Sequence, residues 1–290
     1  MQLRHFAFLL LLAGCNPSPN AYRLVQIWNP EGQGKLEQPQ GVAVGNGGKV
    51  YVADAARRLV LVFSSDGRFE MAMGEGELGR PVGVALSPSG DVVVADFDRD
   101  RVTVFSRKGK LLRSFGELDS PTDVATDPGG NAYVVEFYGH HVKKYSPEGK
   151  LLDSWGGKGN GPGQLHYPVG IAVGPDGMVW VADTHNYRLQ KYSPRGELLQ
   201  VVGQQGLAPG EFEDPADLVV DEEGRLHVAD SGHYRVQVMT AGSEPLFQWT
   251  LPDTVPEEHY YAPTGLAVGK GRVLYVTDVG TGRIYKLTWR

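Results

Sequence analysis

Short apolar runs alternate with glycine- and proline-containing turns along almost the whole chain. From residue 22 onward the runs are rich in valine, leucine, tyrosine and phenylalanine. Runs of this kind are typical of strands in small antiparallel sheets. The turns at 146–149 and 193–196 place a proline, which fixes φ, two residues before a glycine, which accepts positive φ. The pattern predicts an all-β protein.

The strands group into one unit that occurs six times. Each unit starts with a proline that is followed two residues later by glycine or aspartate: Pro39, Pro81, Pro121, Pro168, Pro215 and Pro263. Successive starts are 42, 40, 47, 47 and 48 residues apart. Each start leads to a turn and then to a short apolar run that ends in an acid: Asp54, Asp96, Glu136, Asp183, Asp230 and Asp278. A third strand, and in most units a fourth, completes the unit.

Composition and charge support this interpretation and exclude several classes of protein. With 39 glycines and 19 prolines among 290 residues, a long helical protein is excluded. The 5 tryptophans, 13 tyrosines and 10 phenylalanines argue against a disordered chain. The net charge of −6 carries no signature of nucleic-acid binding, so we expect no nucleic-acid partner.

The repeated unit resembles the NHL repeat. The resemblance rests on the start 39–44 (PQGVAV), the second strand 50–54 (VYVAD) and the third strand 101–105 (RVTVF). It implies a six-bladed β-propeller of four-stranded antiparallel sheets, in which stacking around a ring buries both faces of each sheet. A kelch or WD-type propeller is the nearest alternative, but neither a Trp-Asp nor a Gly-Gly pattern recurs.

The two ends of the repeat region predict how the ring closes. The sixth unit stops after its third strand, and residues 24–28 match the fourth strand 151–155 of the third unit. We therefore expect residues 22–28 to pair with residues 283–289 and to complete the last blade. Closure of this kind removes exposed sheet edges, which promote aggregation. The propeller domain would span residues 22–290.

The first residues are typical of an export signal. Arg4 precedes a seven-residue apolar run, 6–12, which is far too short to span a bilayer. The segment ending in Leu12-Ala13-Gly14-Cys15 resembles a bacterial lipobox, which implies a signal peptide over residues 1–14, lipidation of Cys15 and a tether over residues 15–21. Asn16 favours the outer membrane by the same resemblance. The alternative is an ordinary secretory signal with a chance cysteine. Cys15 is the only cysteine, so we expect no internal disulfide.

Binding chemistry is predicted in the loops that follow the six acids. By propeller convention these loops share one face, around the mouth of the central channel. In the third to fifth units they carry imidazole and aromatic side chains, which suit contacts with a partner. The candidate partner-binding residues are Tyr138, His140, His141, His185, Asn186, Tyr187, His233 and Tyr234. The alternative is that these polar loops only face water.

The recurring acids favour a structural role, because six equivalent carboxylates cannot all serve one active site. Each would cap its own loop or pair with the residue five positions later, which is Arg101, Arg188, Arg235 or Arg283, with Leu59 and His141 in the first and third units. Asp123 and Asp217 replace glycine at the third position of the unit start, where we expect structural hydrogen bonds. The segment 96–100 alternates like a calcium loop, but Arg101 and Arg107 stand where the glycine and the closing glutamate belong.

We expect a lipid-anchored binding or scaffold module of the bacterial envelope, on its periplasmic or cell-surface side. Its partner would be an envelope protein, a peptide or a glycan, and the molecule would be a monomer without a cofactor. The alternative is a channel enzyme, either a lactone or ester hydrolase or a lyase resembling the peptidyl-hydroxyglycine amidating lyases. That family places zinc-binding histidines directly after the unit-start prolines, where this chain has Gln40, Val82, Thr122, Val169, Ala216 and Thr264. A sensor subunit that signals to a membrane partner is a third possibility.

Overall fold

A computed structural model describes residues 21–252 and 262–289, which form a ring of six four-stranded antiparallel sheets. We call the sheets blades 1 to 6 and number the strands in chain order. Blades 1 and 2 contain β2 (Pro39–Val44), β3 (Val50–Asp54), β4 (Leu59–Phe63), β5 (Phe69–Met73), β6 (Pro81–Leu86), β7 (Val92–Asp96), β8 (Arg101–Phe105) and β9 (Leu111–Phe115). Blades 3 and 4 contain β10 (Pro121–Thr126), β11 (Ala132–Glu136), β12 (His141–Tyr145), β13 (Leu151–Gly156), β14 (Ile171–Val173), β15 (Val179–Asp183), β16 (Arg188–Tyr192) and β17 (Leu198–Val202).

Blades 5 and 6 complete the ring. Their strands are β18 (Pro215–Val220), β19 (Leu226–Asp230), β20 (Arg235–Met239), β21 (Pro245–Thr250), β22 (Gly265–Gly269), β23 (Val273–Asp278), β24 (Arg283–Trp289) and β1 (Tyr22–Trp28). The predicted six-bladed, all-β architecture is confirmed. Within the described ranges the only helical segments are single 3₁₀ turns, and none has the length and hydrophobicity to cross a membrane.

The predicted ring closure is also confirmed. β1 pairs antiparallel with β24, from Tyr22 opposite Trp289 to Trp28 opposite Ile284. Tyr22 is buried against Trp289 and against His227 of blade 5, with ring centroids 5.0 and 5.5 Å apart. The first strand is therefore fixed both to its own blade and to the neighbouring one.

One backbone feature recurs before the third strand of every blade. The residue there adopts the left-handed conformation, with φ between 50° and 65°: Arg58, Asp100, His140, Tyr187, Tyr234 and Gly282. It reverses the chain after the acid that ends the second strand. Apolar side chains of adjacent blades pack against each other. The hydrophobic core is therefore divided into six clusters around the ring.

The loops that follow the acids all lie on one side of the ring, which we call the upper face. The turns between the first and second strands lie on the opposite side, the lower face. β24 starts at the upper face, so its partner β1 starts at the lower face, at Tyr22. The predicted signal peptide, Cys15 and the predicted tether as far as residue 20 lie outside the described residues.

Candidate binding face

The recurring acids tie each blade to the loop that enters it. In blades 1 to 5 the carboxylate accepts a hydrogen bond from the backbone N–H of the residue 17 positions earlier, in the loop between blades. The pairs of donor and acceptor are Glu37 and Asp54 (2.8 Å), Gly79 and Asp96 (2.9 Å), Asp119 and Glu136 (2.8 Å), His166 and Asp183 (2.7 Å), and Glu213 and Asp230 (2.7 Å). These buried carboxylates therefore serve the architecture of the upper face.

The partner five residues later depends on the blade. Arg188 Nε lies 2.7 Å from Asp183 Oδ2, and Arg235 Nε lies 2.6 Å from Asp230 Oδ2. In blade 3 the acid contacts Lys143 instead, with Nζ 2.9 Å from Glu136 Oε1. His141, the residue five positions after Glu136, turns its Nδ1 to the carbonyl of Gly139. The expected pairing with the fifth residue therefore holds for blades 4 and 5 but is wrong for blade 3, and also for blade 2, where Arg101 donates to the carbonyl of Glu77.

A continuous group of aromatic rings lies on the upper face of blades 2 to 4. Phe137 is at its centre, with ring centroids 5.0 Å from Tyr138, 4.9 Å from Tyr167 and 6.5 Å from Phe97. Tyr167 is in turn 4.9 Å from His185. Tyr138 keeps 55% of its surface exposed, and His185 is exposed as well.

Two further imidazoles extend this group. His166 lies 5.6 Å from His185 and 6.0 Å from His140, between ring centroids. The backbone N–H of Tyr167 donates to His140 Nδ1 at 3.1 Å, so His140 supports the group from beneath. Burial, followed by the charge of Lys158, lowers the pKa of His140. We call the seven residues the rim cluster: Phe97, Phe137, Tyr138, His140, His166, Tyr167 and His185.

The structure brings together three of the eight predicted binding residues, Tyr138, His140 and His185. The other five lie outside the rim cluster: His141, Asn186, Tyr187, His233 and Tyr234. Asn186 and His233 make hydrogen bonds to Asp183 and Asp230. Tyr187 caps a 3₁₀ turn, and Tyr234 packs against the core between blades 5 and 6.

Four members of the rim cluster are not among the residues predicted from the sequence. Phe97 and Phe137 directly follow an acid, whereas His166 and Tyr167 come from the loop that enters blade 4. That loop reaches the same mouth because the N–H of His185 donates to the carbonyl of His166, at 3.1 Å. The sequence signal for His166 and Tyr167 is their place just before a unit-start proline, because the residues before these prolines lie on the upper face in every blade.

Two carboxylates line the central channel, which has a cavity of about 230 Å³. Asp123 accepts the N–H of Ile171 in blade 4 at 2.9 Å, and Asp217 accepts the N–H of Leu266 in blade 6 at 2.7 Å. Each thus links its inner strand to the next blade, which is the structural hydrogen bonding that we expected. Burial raises the pKa of Asp123 to about 7. Burial and the charge of Asp123 raise the pKa of Asp217 well above its usual value.

Among residues 21–252 and 262–289, no group of three or more His, Cys, Asp or Glu side chains is arranged to hold a metal ion. Of the six positions after the unit-start prolines, Thr122 and Thr264 donate to the proline carbonyls of the next blade, Pro168 and Pro39, at 3.4 and 3.1 Å. These two hydroxyls therefore join neighbouring blades.

Comparison with protein families agrees with this architecture. The sequence matches the NHL repeat in four segments, residues 36–63, 78–105, 165–192 and 212–239, which fall on blades 1, 2, 4 and 5. Together with the six-bladed ring, these matches define the class of protein: a six-bladed β-propeller that contains NHL repeats. A search of curated proteins found no match.

Solved structures share the fold at low sequence identity. Virginiamycin B lyase from Staphylococcus aureus is 15% identical, with a TM-score of 0.64 over 92% of this chain and 99% of that one. A gluconolactonase from Xanthomonas campestris is 18% identical, with a TM-score of 0.69 over 89% and 88% of the two chains. Hydrazine synthase from Kuenenia stuttgartiensis is 11% identical, with a TM-score of 0.63 over 89% and 98%. These similarities establish the common fold.

Proposed function

We propose that this NHL-repeat propeller is a binding module that holds a segment of another envelope protein on its rim cluster. The observation that carries the proposal is the continuous group of rings at one side of the channel mouth, in which Tyr138 is 55% exposed. Tyrosine and neighbouring aromatic residues provide much of the binding energy at protein interfaces. The module needs no cofactor for this function.

The arrangement of the rings favours a macromolecular partner over an enclosed small molecule. The rings of Phe97, Phe137, Tyr138 and Tyr167 contact one another, so they form one surface. Arg80 stacks on Phe97 at 3.8 Å and extends that surface. The loops are held by buried carboxylates, so little conformational entropy is lost when a partner binds.

We further propose that lipidated Cys15 anchors the module to a bacterial membrane, with the outer membrane favoured. β1 starts at the lower face, and residues 16–21 extend over at most about 20 Å. The lower face would therefore lie near the membrane, and the rim cluster would face away from it. This orientation leaves the rim cluster accessible to a protein in the periplasm or at the cell surface.

Proximity labelling of the anchored protein in its own cell tests the proposed binding face. The double variant Tyr138→Ala/His185→Ala removes two exposed rings of the rim cluster. We expect labelling of the partner to fall by about tenfold or more, because truncation of a hot-spot side chain at an interface costs about 2 kcal/mol or more. The control is Leu112→Ala/Leu152→Ala, which removes side chains that are 43% and 44% exposed on outer strands. Undiminished labelling by the rim variant would contradict the assignment.

A channel enzyme, a lyase or a lactone hydrolase, is the second candidate function. The observation in its favour is the pair Asp123 and Asp217, whose raised pKa values would let one carboxyl act as an acid near neutral pH. Turnover of a lactone such as gluconolactone that is lost in Asp123→Asn would support this candidate. Stoichiometric zinc or calcium in protein purified without a chelator would also favour it.

A further inference from the structure

Blades 4 and 5 each enclose the guanidinium group of one of their own arginines on the upper face. Arg235 is 7% exposed, and besides Asp230 it donates to the carbonyls of Leu207 (2.9 Å) and Glu211 (2.8 Å) and to Gln248 Oε1 (3.0 Å). Arg188 likewise donates to the carbonyls of the loop that enters blade 4. The guanidinium thus fills a space between the acid, the entering loop and the fourth strand.

Blade 3 has an open cleft at the same place. The residue equivalent to Arg188 and Arg235 is His141, which turns to the carbonyl of Gly139. A cavity of about 460 Å³ lies there, and its wall includes the acid Glu136, the loop residues Glu117 and Asp119, and Ser154 of the fourth strand. Ser154 occupies the position of Gln248, because it pairs with Lys143 as Gln248 pairs with Gln237.

The charges around this cleft favour a cation. Glu117, Asp119 and Glu136 provide three carboxylates, of which the first two are exposed and the third is 1% exposed. They are opposed by Lys143, whose Nζ lies 2.9 Å from both Glu136 Oε1 and the carbonyl of Glu117. The single ammonium of Lys143 does not balance the three carboxylates, so the wall of the cleft has a net negative charge.

We propose that the blade 3 cleft binds the guanidinium group of an arginine side chain supplied by the partner segment. A planar guanidinium donates several hydrogen bonds in a fixed plane to a carboxylate and to carbonyl oxygens, as Arg188 and Arg235 do in the neighbouring blades. Gly139 lines the cleft and directly follows Tyr138, so a bound arginine would lie beside the rim cluster. The source of the arginine rests on the proposed function, whereas the preference of the cleft for guanidinium does not.

Titration of the full chain with N-acetyl-arginine-methylamide, followed by NMR, tests the cleft directly. We expect millimolar affinity for this probe and binding weaker by about tenfold or more for the citrulline analogue, which has a similar shape but no charge. Equal binding of the two analogues, or no binding of the arginine probe at millimolar concentration, would overturn the proposal.

The variant His141→Arg should fill the cleft with the chain's own guanidinium. Arginine occupies this position in blades 2, 4, 5 and 6, so we expect a folded protein that binds the probe at least about tenfold more weakly. The matched control is Ala56→Arg, which adds the same charge to an exposed loop residue of blade 1 on the same face and should leave probe binding unchanged. Unchanged binding by His141→Arg would contradict the assigned position.

A third variant, Lys143→Gln, changes affinity in the opposite direction. It removes the competing ammonium and places the amide that blades 4 and 5 carry as Gln190 and Gln237. We expect it to bind the arginine probe more tightly than the wild type, and weaker binding would contradict the proposal. The titration involves no partner protein. If the arginine probe does not bind but the rim variant loses labelling of the partner, only the cleft proposal is refuted. If the probe binds but the rim variant labels the partner as well as the wild type does, only the rim-cluster proposal is refuted.

Discussion

At the scale of single residues, the acids on the upper face combine two tasks. Each buried carboxylate of blades 1 to 5 holds the entering loop through a backbone N–H, and in blades 4 and 5 it also neutralises an arginine. Asp54 performs only the first task, because Leu59 stands at the arginine position of blade 1. The equivalent acids should therefore differ in their contribution to stability.

We expect Asp230→Ala to cost about 3–5 kcal/mol of unfolding free energy, because it leaves the guanidinium of Arg235 buried without its carboxylate. The control Asp54→Ala loses hydrogen bonds from the N–H groups of Glu37, Gln38 and Arg57 but leaves no buried cation, so we expect about 1–3 kcal/mol. Urea denaturation of both variants measures the difference. Equal losses of unfolding free energy in the two variants would show that the ion pair of Asp230 and Arg235 adds no stability beyond the hydrogen bonds to the entering loop.

Individual residues also show which parts of the candidate site can be predicted from the sequence. The sequence predicts Tyr138 and His185 as site residues, because loops after equivalent strands share a face. Tyr167 could not be found in this way, since its contact with Phe137 depends on how the loop between blades folds back. The blade 3 cleft was also beyond prediction, because it arises where His141 turns to its own loop and leaves a space that an arginine fills in blades 4 and 5.

At the scale of elements, the inner strands pack closely around the channel because glycine occupies the third position of four unit starts. A Cβ at Gly41 or Gly265 would lie 2.6 or 2.3 Å from a carbonyl oxygen of the next blade. A Cβ at Gly83 or Gly170 would lie 2.5 or 2.7 Å from the Cα of an aspartate there. The repeat pattern was predictable from the sequence, whereas this close approach depends on how far each strand is from its neighbour.

We expect Gly83→Ala to destabilise the protein by about 1–3 kcal/mol, because blades 2 and 3 must move apart to admit the methyl group. The matched control is Gly47→Ala, in an exposed turn on the lower face where a Cβ meets nothing within 4 Å. That substitution should be neutral or slightly stabilising. Thermal unfolding of the two variants gives the comparison, and an unchanged midpoint for Gly83→Ala would contradict the packing argument.

At the scale of the whole molecule, the channel carboxylates make stability depend on pH. Their folded-state pKa values lie above the usual value of 3.8. Their favourable contribution is therefore complete below about pH 4 and is lost as the pH rises through the folded-state values, about 7 for Asp123. Acid denaturation of most proteins depends on carboxylates with lowered pKa values, so this pair acts in the opposite direction.

We expect Asp217→Asn to be more stable than the wild type at pH 8, by about 1–2 kcal/mol, and to lose that advantage near pH 4. The substitution removes the buried charge and its repulsion of Asp123. It keeps an oxygen for the N–H of Leu266 but loses the second oxygen, which accepts the N–H of Leu218, so the expected gain is small. Thermal midpoints across this pH range measure the effect, with Asp153→Asn as the control at an exposed carboxylate. A constant difference between variant and wild type at every pH would exclude titration of the pair as its cause.

The pairing of β1 with β24 has a consequence for the biogenesis of the protein. Strand partners from opposite ends of the chain cannot meet until about 260 residues separating them have been synthesised, which takes roughly 13–50 s at typical ribosome speeds. During that interval five blades can assemble, but the two end blades of the nascent arc expose apolar faces that blade 6 covers in the closed ring. A cell that produces this protein must therefore delay its folding or shield those faces until the final strand emerges.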